Sequence, residues 1–269
     1  TNPLINRAIS GDLYHPGSVF KLVVASAAID SGKYTPDDEF PNPLTLKLPG
    51  STTSINNAEG SNCGGTPTVT IATALRLSCN IPFAELGAAL GSAEIAKYAK
   101  AYGFGEKLSV PLSVTPSTYP LNTAAAKPLL SAFGQDEDRV TPLQVAMVTA
   151  AIANGGTLMK PTLIDNITAP NLTVVQNYQQ KVLGQPISPE TSATLTQLMV
   201  ANVNNGAASN ARINGVDVAG KTGTAQNGEG RKYTLWFTGF APAVDPQVAV
   251  AVVVENGTSF GNAVAAPIA

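Results

Sequence analysis

The sequence predicts an α+β fold in which an antiparallel sheet packs with helices, several of them gathered around one buried helix. Three observations predict it. Residues 14–32, "YHPGSVFKLVVASAAIDSG", are apolar on every face of a helix, the pattern of a helix enclosed by other elements. Further runs at 69–104, 141–156 and 188–206 carry helical spacing with clear start and stop residues. The last third then changes to "GVDVAGKTGTAQN", "LWFTGFAP" and "QVAVAVVVEN", apolar or alternating runs separated by turn-rich segments, which read as an antiparallel meander.

Taken in order, Pro16 and Gly17 read as a turn, Ser18 opens the first helical run and Gly32 stops it where a left-handed cap is usual. Residues 35–66 are dense in Pro, Gly, Ser, Thr and Asn and predict a long excursion with short strands. Residues 69–104 predict two or three short helices broken near Pro82 and Gly91, and residues 108–128 a proline-rich loop. Thr141 followed by Pro142, and Ser188 followed by Pro189, are caps with proline at the first helical position. The run "VAVAVVVEN" reads as a buried strand.

The chain has 269 residues, of which 44% are hydrophobic and 13% charged, with net charge −2. That is enough for one large core or two small domains. No basic run points to nucleic acid, and no stretch reaches the ~18 apolar residues of a membrane helix. The chain opens without a signal peptide, on "TNPLINRA", and closes on "AAPIA", which predicts a piece of a longer protein whose membrane anchor lies outside this sequence.

Lys21 is the anomaly of the first helix. Removing an ammonium from water costs several kcal/mol unless it is paired or loses its proton. A lone lysine in a first turn commonly snorkels to solvent. Ser18, however, lies three residues earlier on the same face, so a desolvated, neutral Lys21 can take the serine proton, while the helix N-terminus favours the developing negative charge.

Two further elements accompany this pair. Lys221-Thr222-Gly223, followed by Thr224, falls on a strand, where a glycine admits close approach of another backbone or of an extended substrate. Lys221, Thr222 and Thr224 then offer a charge and hydroxyls to an anionic group. A Ser-x-Asn occurs as Ser54-Ile55-Asn56 in the polar loop and as Ser78-Cys79-Asn80 between helical runs. The second is preferred, because a short connection between helices holds a hydroxyl and an amide rigidly. The first needs no explanation beyond turn chemistry.

With one histidine and two cysteines, a structural zinc site lacks ligands, and no metal or cofactor is expected. His15, beside a proline in a turn, reads as a surface residue. Cys63 and Cys79 are either free buried thiols or, in an exported protein, a disulfide contributing about 3 kcal/mol.

In the order Ser-x-x-Lys, Ser-x-Asn, Lys-Thr-Gly, the chain resembles the penicillin-binding transpeptidases, a set of motifs shared with serine β-lactamases. "NPLINRA", "FGQDEDRVTPLQVAMVTAAIANGG", "VAGKTGTAQN", "WFTGFAP" and "VAVAVVVENG" are similar to the class B, monofunctional type, and more loosely to its actinobacterial elongation or septation enzymes. The resemblance implies the penicillin-binding, β-lactamase-like fold with a helical subdomain, in one domain over 1–269 truncated at both ends. It implies a peptidoglycan D,D-transpeptidase at the extracytoplasmic face of the membrane, acting with cell-wall synthesis machinery, inhibited by β-lactam antibiotics, and reached by stem peptides ending in D-Ala-D-Ala. Ser18 is then the nucleophile, Lys21 its base and Ser78 the proton relay. Asn80 orients Lys21 and the substrate, Lys221, Thr222 and Thr224 hold the terminal carboxylate, and the N–H groups of Ser18 and Thr224 form the oxyanion hole.

Some features depart from the family pattern. A strand before "NPL" and a long helix after "AAPI" are missing, so the sheet is expected to lack a strand. His15 stands where a second proline is frequent, Leu235 precedes Trp236 where "HAW" is common, and Cys79 is unusual between Ser78 and Asn80. A class A β-lactamase needs a Glu-x-x-Leu-Asn segment that this sequence lacks. A D,D-carboxypeptidase or a non-catalytic β-lactam sensor would keep the same motifs, although the "TPLQ" and "WFTGFAP" segments favour the transpeptidase.

Overall fold

A computed structural model describes residues 4–60, 62–108, 110–119 and 127–269. The proline-rich loop predicted over 108–128 lies partly outside these residues. The first helical run divides in two: a 3-10 turn, Gly17–Phe20, feeds α1, Lys21–Asp30. Val24, Ala25, Ala27 and Ala28 have no solvent exposure, as an all-apolar helix requires, and Gly32 follows with a positive φ of 70°. Lys21 is also fully buried, so its amine does not snorkel.

The excursion forms β1 (Glu39–Pro41), β2 (Thr45–Lys47), β3 (Ser54–Asn56) and β4 (Thr68–Thr70). Strand β1 pairs with β4 and β2 with β3, all antiparallel. Three helices follow: α2 (Ile71–Leu77), α3 (Ile81–Leu90) and α4 (Ser92–Ala101). The Thr70 hydroxyl caps α2 by accepting the Thr73 N–H at 3.1 Å. The first break falls at residues 78–80, because Pro82 sits inside the first turn of α3, where a missing N–H costs nothing.

Then come α5 (Lys127–Ser131), α6 (Pro142–Ala153), the short strands β5 (Leu158–Met159), β6 (Asn166–Thr168), β7 (Val174–Asn177) and β8 (Val182–Gly184), and α7 (Pro189–Asn205). Thr141 and Ser188 cap α6 and α7 through the N–H groups of Gln144 and Thr191, as predicted. The chain ends in β9 (Ala219–Ala225), β10 (Tyr233–Ala241), β11 (Val248–Gly257) and α8 (Gly261–Ile268).

The late strands form one antiparallel sheet in the order β11-β10-β9. Trp236 and Phe240 of β10 join a core cluster with α1, α4, α6 and α7, while Phe237 packs with Ala265 and Ala266 of α8. Helices therefore cover both faces, and one apolar cluster runs from the central helix into the sheet. Strand β11 is half-exposed rather than buried, because among the described residues it has a neighbour on one side only. Strand β9 is the other edge, and it faces the 3-10 turn that carries Ser18.

Candidate active site

The segment before Ser18 is fixed from several sides. Tyr14 bridges Val140 in antiparallel fashion, and its hydroxyl donates to Glu255 of β11. The Trp236 indole donates to the His15 carbonyl at 3.0 Å, and the Gly17 N–H donates to the Gly134 carbonyl at 2.9 Å. Gly17 has a φ of 56°, with the backbone and Cβ of Ala225 close against it, so this position needs a glycine. The resulting 3-10 turn carries Ser18 and leads directly into Lys21, the first residue of α1. Ser18 itself remains partly accessible.

Lys21 Nζ donates to the Ser78 carbonyl at 2.7 Å and to Asn80 Oδ1 at 2.9 Å. Both partners accept. A neutral Lys21 thus commits its two N–H bonds to them and keeps one lone pair for a proton. Burial, and then the charge of Lys221, holds the Lys21 ammonium well below its ordinary range. Ser78 closes α2 in the left-handed region at φ 62°, an uncommon conformation for a residue with a side chain. Its hydroxyl accepts from Lys221 Nζ at 2.7 Å, and Lys221 also donates to the Thr222 carbonyl at 2.9 Å. Burial lowers Lys221 to about 7. Burial thus works against the ammonium form at Lys21, while Lys221 beside it changes charge near neutral pH.

The structure brings Lys21, Ser78, Asn80 and Lys221 into one hydrogen-bonded cluster beside the Ser18 turn. Thr222, Gly223 and Thr224 lie on the β9 edge next to it. A Cβ on Gly223 would come within 3.1 Å of the Pro16 carbonyl and 3.2 Å of Val19, so this glycine lets the Ser18 turn lie close against β9. The Thr222 hydroxyl donates to the Ala207 carbonyl at 3.0 Å, whereas the Thr224 oxygen accepts from the Gly261 N–H at 3.1 Å and keeps its own proton to donate.

Several features differ from the sequence expectation. His15 is half-buried, with Nδ1 facing Arg139 Nη1 at 2.9 Å. Burial and the Arg139 charge lower it to about 4, so it is neutral at pH 7 and occupied as an acceptor. Of the two states left open for Cys63 and Cys79, the structure has the disulfide, which ties the polar loop to the Ser78–Asn80 connection. The loop passed over in favour of that connection stands directly behind it: Asn56 O accepts from Asn80 Nδ2 at 3.1 Å, and Asn57 Oδ1 accepts the Asn80 N–H at 2.8 Å. Read together, the cysteine pair and the asparagines of "SINNAEGSN" were the available signal for this contact.

The family model described as "Penicillin binding protein transpeptidase domain" matches residues 1–269. The chain belongs to that family. Among curated relatives, the "Peptidoglycan D,D-transpeptidase PbpA" of Mycolicibacterium smegmatis is 39% identical over 99% of this chain. The Bacillus subtilis "Stage V sporulation protein D" is 35% identical over 95%. The alignments cover 55% and 41% of those proteins, so the chain spans about half the length of the relatives it matches. The ceftriaxone acyl-enzyme complex of penicillin-binding protein A from M. tuberculosis superposes with a TM-score of 0.94 at 37% identity, covering 99% of this chain and 61% of that one. A penicillin G acyl-enzyme complex of the same protein gives 0.92 at 37% identity, with the same coverage of both chains. The family's penicillin-binding, α+β fold is thus also the fold of this chain.

Proposed function

We propose that this chain is a peptidoglycan D,D-transpeptidase working through a serine acyl-enzyme that β-lactams also form. The observation that carries the reading is the fully buried Lys21, held by Ser78 O and Asn80 Oδ1 with its lone pair uncommitted, three residues beyond Ser18. Ser18 attacks the carbonyl of the penultimate D-Ala and passes its proton to Lys21. The backbone N–H groups of Ser18 and Thr224 hold the oxyanion. Collapse breaks the C–N bond, and the terminal D-Ala leaves as its amine gains a proton. Ser78 supplies that proton: its oxygen is occupied by the Lys221 ammonium, which leaves its O–H to donate, and Lys221 can then restore it. An amine from a neighbouring stem reverses these steps and forms the crosslink.

Lys221 and Thr224 bind the terminal carboxylate, joined by Thr222 once its hydroxyl releases Ala207. Residues 1–269 act as one transpeptidase domain. The disulfide fits an oxidising, extracytoplasmic compartment. No helix among the described residues is long and apolar enough to cross a membrane, and we propose that the enzyme works at the extracytoplasmic face of the membrane with cell-wall synthesis machinery. The test is a stem-peptide donor ending in D-Ala-D-Ala offered with an amine acceptor. Crosslinked product with D-Ala release supports the transpeptidase. Hydrolysed donor alone would make it a carboxypeptidase, and rapid drug turnover a β-lactamase.

A further inference from the structure

We infer that Asn57, in the polar loop, is a positioning residue that keeps Asn80 turned toward Lys21; the inference rests on reading Lys21 as the base for Ser18. Asn80 stands at the N-cap of α3. An asparagine there ordinarily turns its side-chain oxygen back onto the N–H of the second or third helical residue. In α3 the second is Pro82, which has no N–H, and the third is Phe83. Asn80 makes no such cap: its Oδ1 accepts from Lys21 at 2.9 Å and its Nδ2 donates to Asn56 O at 3.1 Å.

The cap comes from outside the helix. Asn57 Oδ1 accepts the N–H of Asn80 at 2.8 Å and that of Ile81 at 3.0 Å, satisfying two donors that a helix start leaves open. Asn57 is buried and is itself fixed, because its Nδ2 donates to Asn42 Oδ1 at 2.9 Å. Asn42 is fully buried and donates in turn to Asn62 Oδ1, Cys63 O and Thr66 O at 2.6, 2.6 and 2.9 Å. The loop that delivers the cap is also bonded covalently, through Cys63, to the residue next to Asn80. With the cap supplied by Asn57, Asn80 is free to serve the lysine. Without it, two N–H groups lose their acceptor and Asn80 Oδ1 is drawn back toward Phe83, so Lys21 loses one of its two oriented bonds.

The test measures the second-order rate of acylation by a penicillin across pH for the parent, Asn57→Ala, Asn80→Ala and the double variant. Asn57→Ala should slow acylation about 10- to 100-fold, the worth of one hydrogen bond to a charged group. It should also move the acid limb of the profile to lower pH, because the Lys21 ammonium loses an acceptor. The double variant should be no slower than Asn80→Ala, since Asn57 acts through Asn80. Multiplying effects, or an unmoved limb, would overturn the inference. A crystal structure of Asn57→Ala, or of Asn57→Leu if the alanine form does not fold, decides without any activity. Asn80 Oδ1 on the Phe83 N–H supports the inference and Oδ1 still on Lys21 refutes it, whether or not the parent is acylated.

Discussion

The charge on Lys221 should impose an alkaline decline on acylation by any β-lactam that carries a carboxylate. Lys221 is fully buried, no carboxylate contacts it among the described residues, and burial brings it to about 7. Its ammonium is about nine-tenths populated one pH unit below that value and about one-tenth populated one unit above, and second-order rate constants report the free enzyme. From pH 6 to pH 8 the charge available to bind the carboxylate thus falls about tenfold. Acylation by penicillin should fall in proportion, levelling toward a tenfold loss per unit above pH 8. A penicillin methyl ester has no carboxylate to recognise. It should acylate more slowly at pH 6 but decline less steeply, retaining only the part of the loss that comes from proton return through Ser78. The assay is stopped-flow or quenched mass spectrometry at fixed ionic strength, with both drugs corrected for spontaneous hydrolysis. Parallel curves for acid and ester through pH 6–9 would refute the assignment of Lys221 to the carboxylate.

Two other outcomes follow from the packing around the site. Reducing the Cys63–Cys79 disulfide, or replacing both cysteines by alanine, should cost about 3 kcal/mol and lower the melting temperature by roughly 6–12 °C; calorimetry with and without reductant checks this, and an unchanged midpoint would mean the loop is held by its hydrogen bonds alone. Gly223→Ala places a methyl group 3.1 Å from the Pro16 carbonyl and from Trp236 Cβ. That should destabilise by about 1–3 kcal/mol and slow acylation by shifting the Ser18 turn, as urea melts and labelling rates would reveal; wild-type behaviour in both would show that the turn has room to move.

Local chemistry explains what the sequence disclosed. The apolar first helix, the Thr-Pro and Ser-Pro caps and the alternating late strands are short-range patterns, and each reappears in α1, α6, α7 and β9–β11. The lysine that contradicted its apolar surroundings was legible because buried charge is costly wherever it occurs. The 3-10 form of the Ser18 turn was not legible. It depends on Gly17 meeting Gly134 and Ala225, partners more than a hundred residues away. Asn42 was equally hidden, and the asparagine-rich loop with its cysteine hinted at a contact without showing what Asn57 does there, since a polar loop has no periodicity and its side chains gain meaning only from what they reach. His15 looked exposed beside a proline, yet Arg139 and Trp236 close over it. Strand β11 misled in the opposite direction: a continuous apolar run reads as buried on both sides, whereas this one lies at an edge of the sheet.

Every step proposed for this site depends on Ser18 being the nucleophile, activated by Lys21. Intact mass followed over time after adding penicillin G, with peptide mapping of any adduct, tests it most directly. A long-lived adduct of one drug molecule should form on the peptide that contains Ser18 and be abolished in a folded Ser18→Ala variant. An adduct on another residue, or labelling that survives Ser18→Ala, would contradict it.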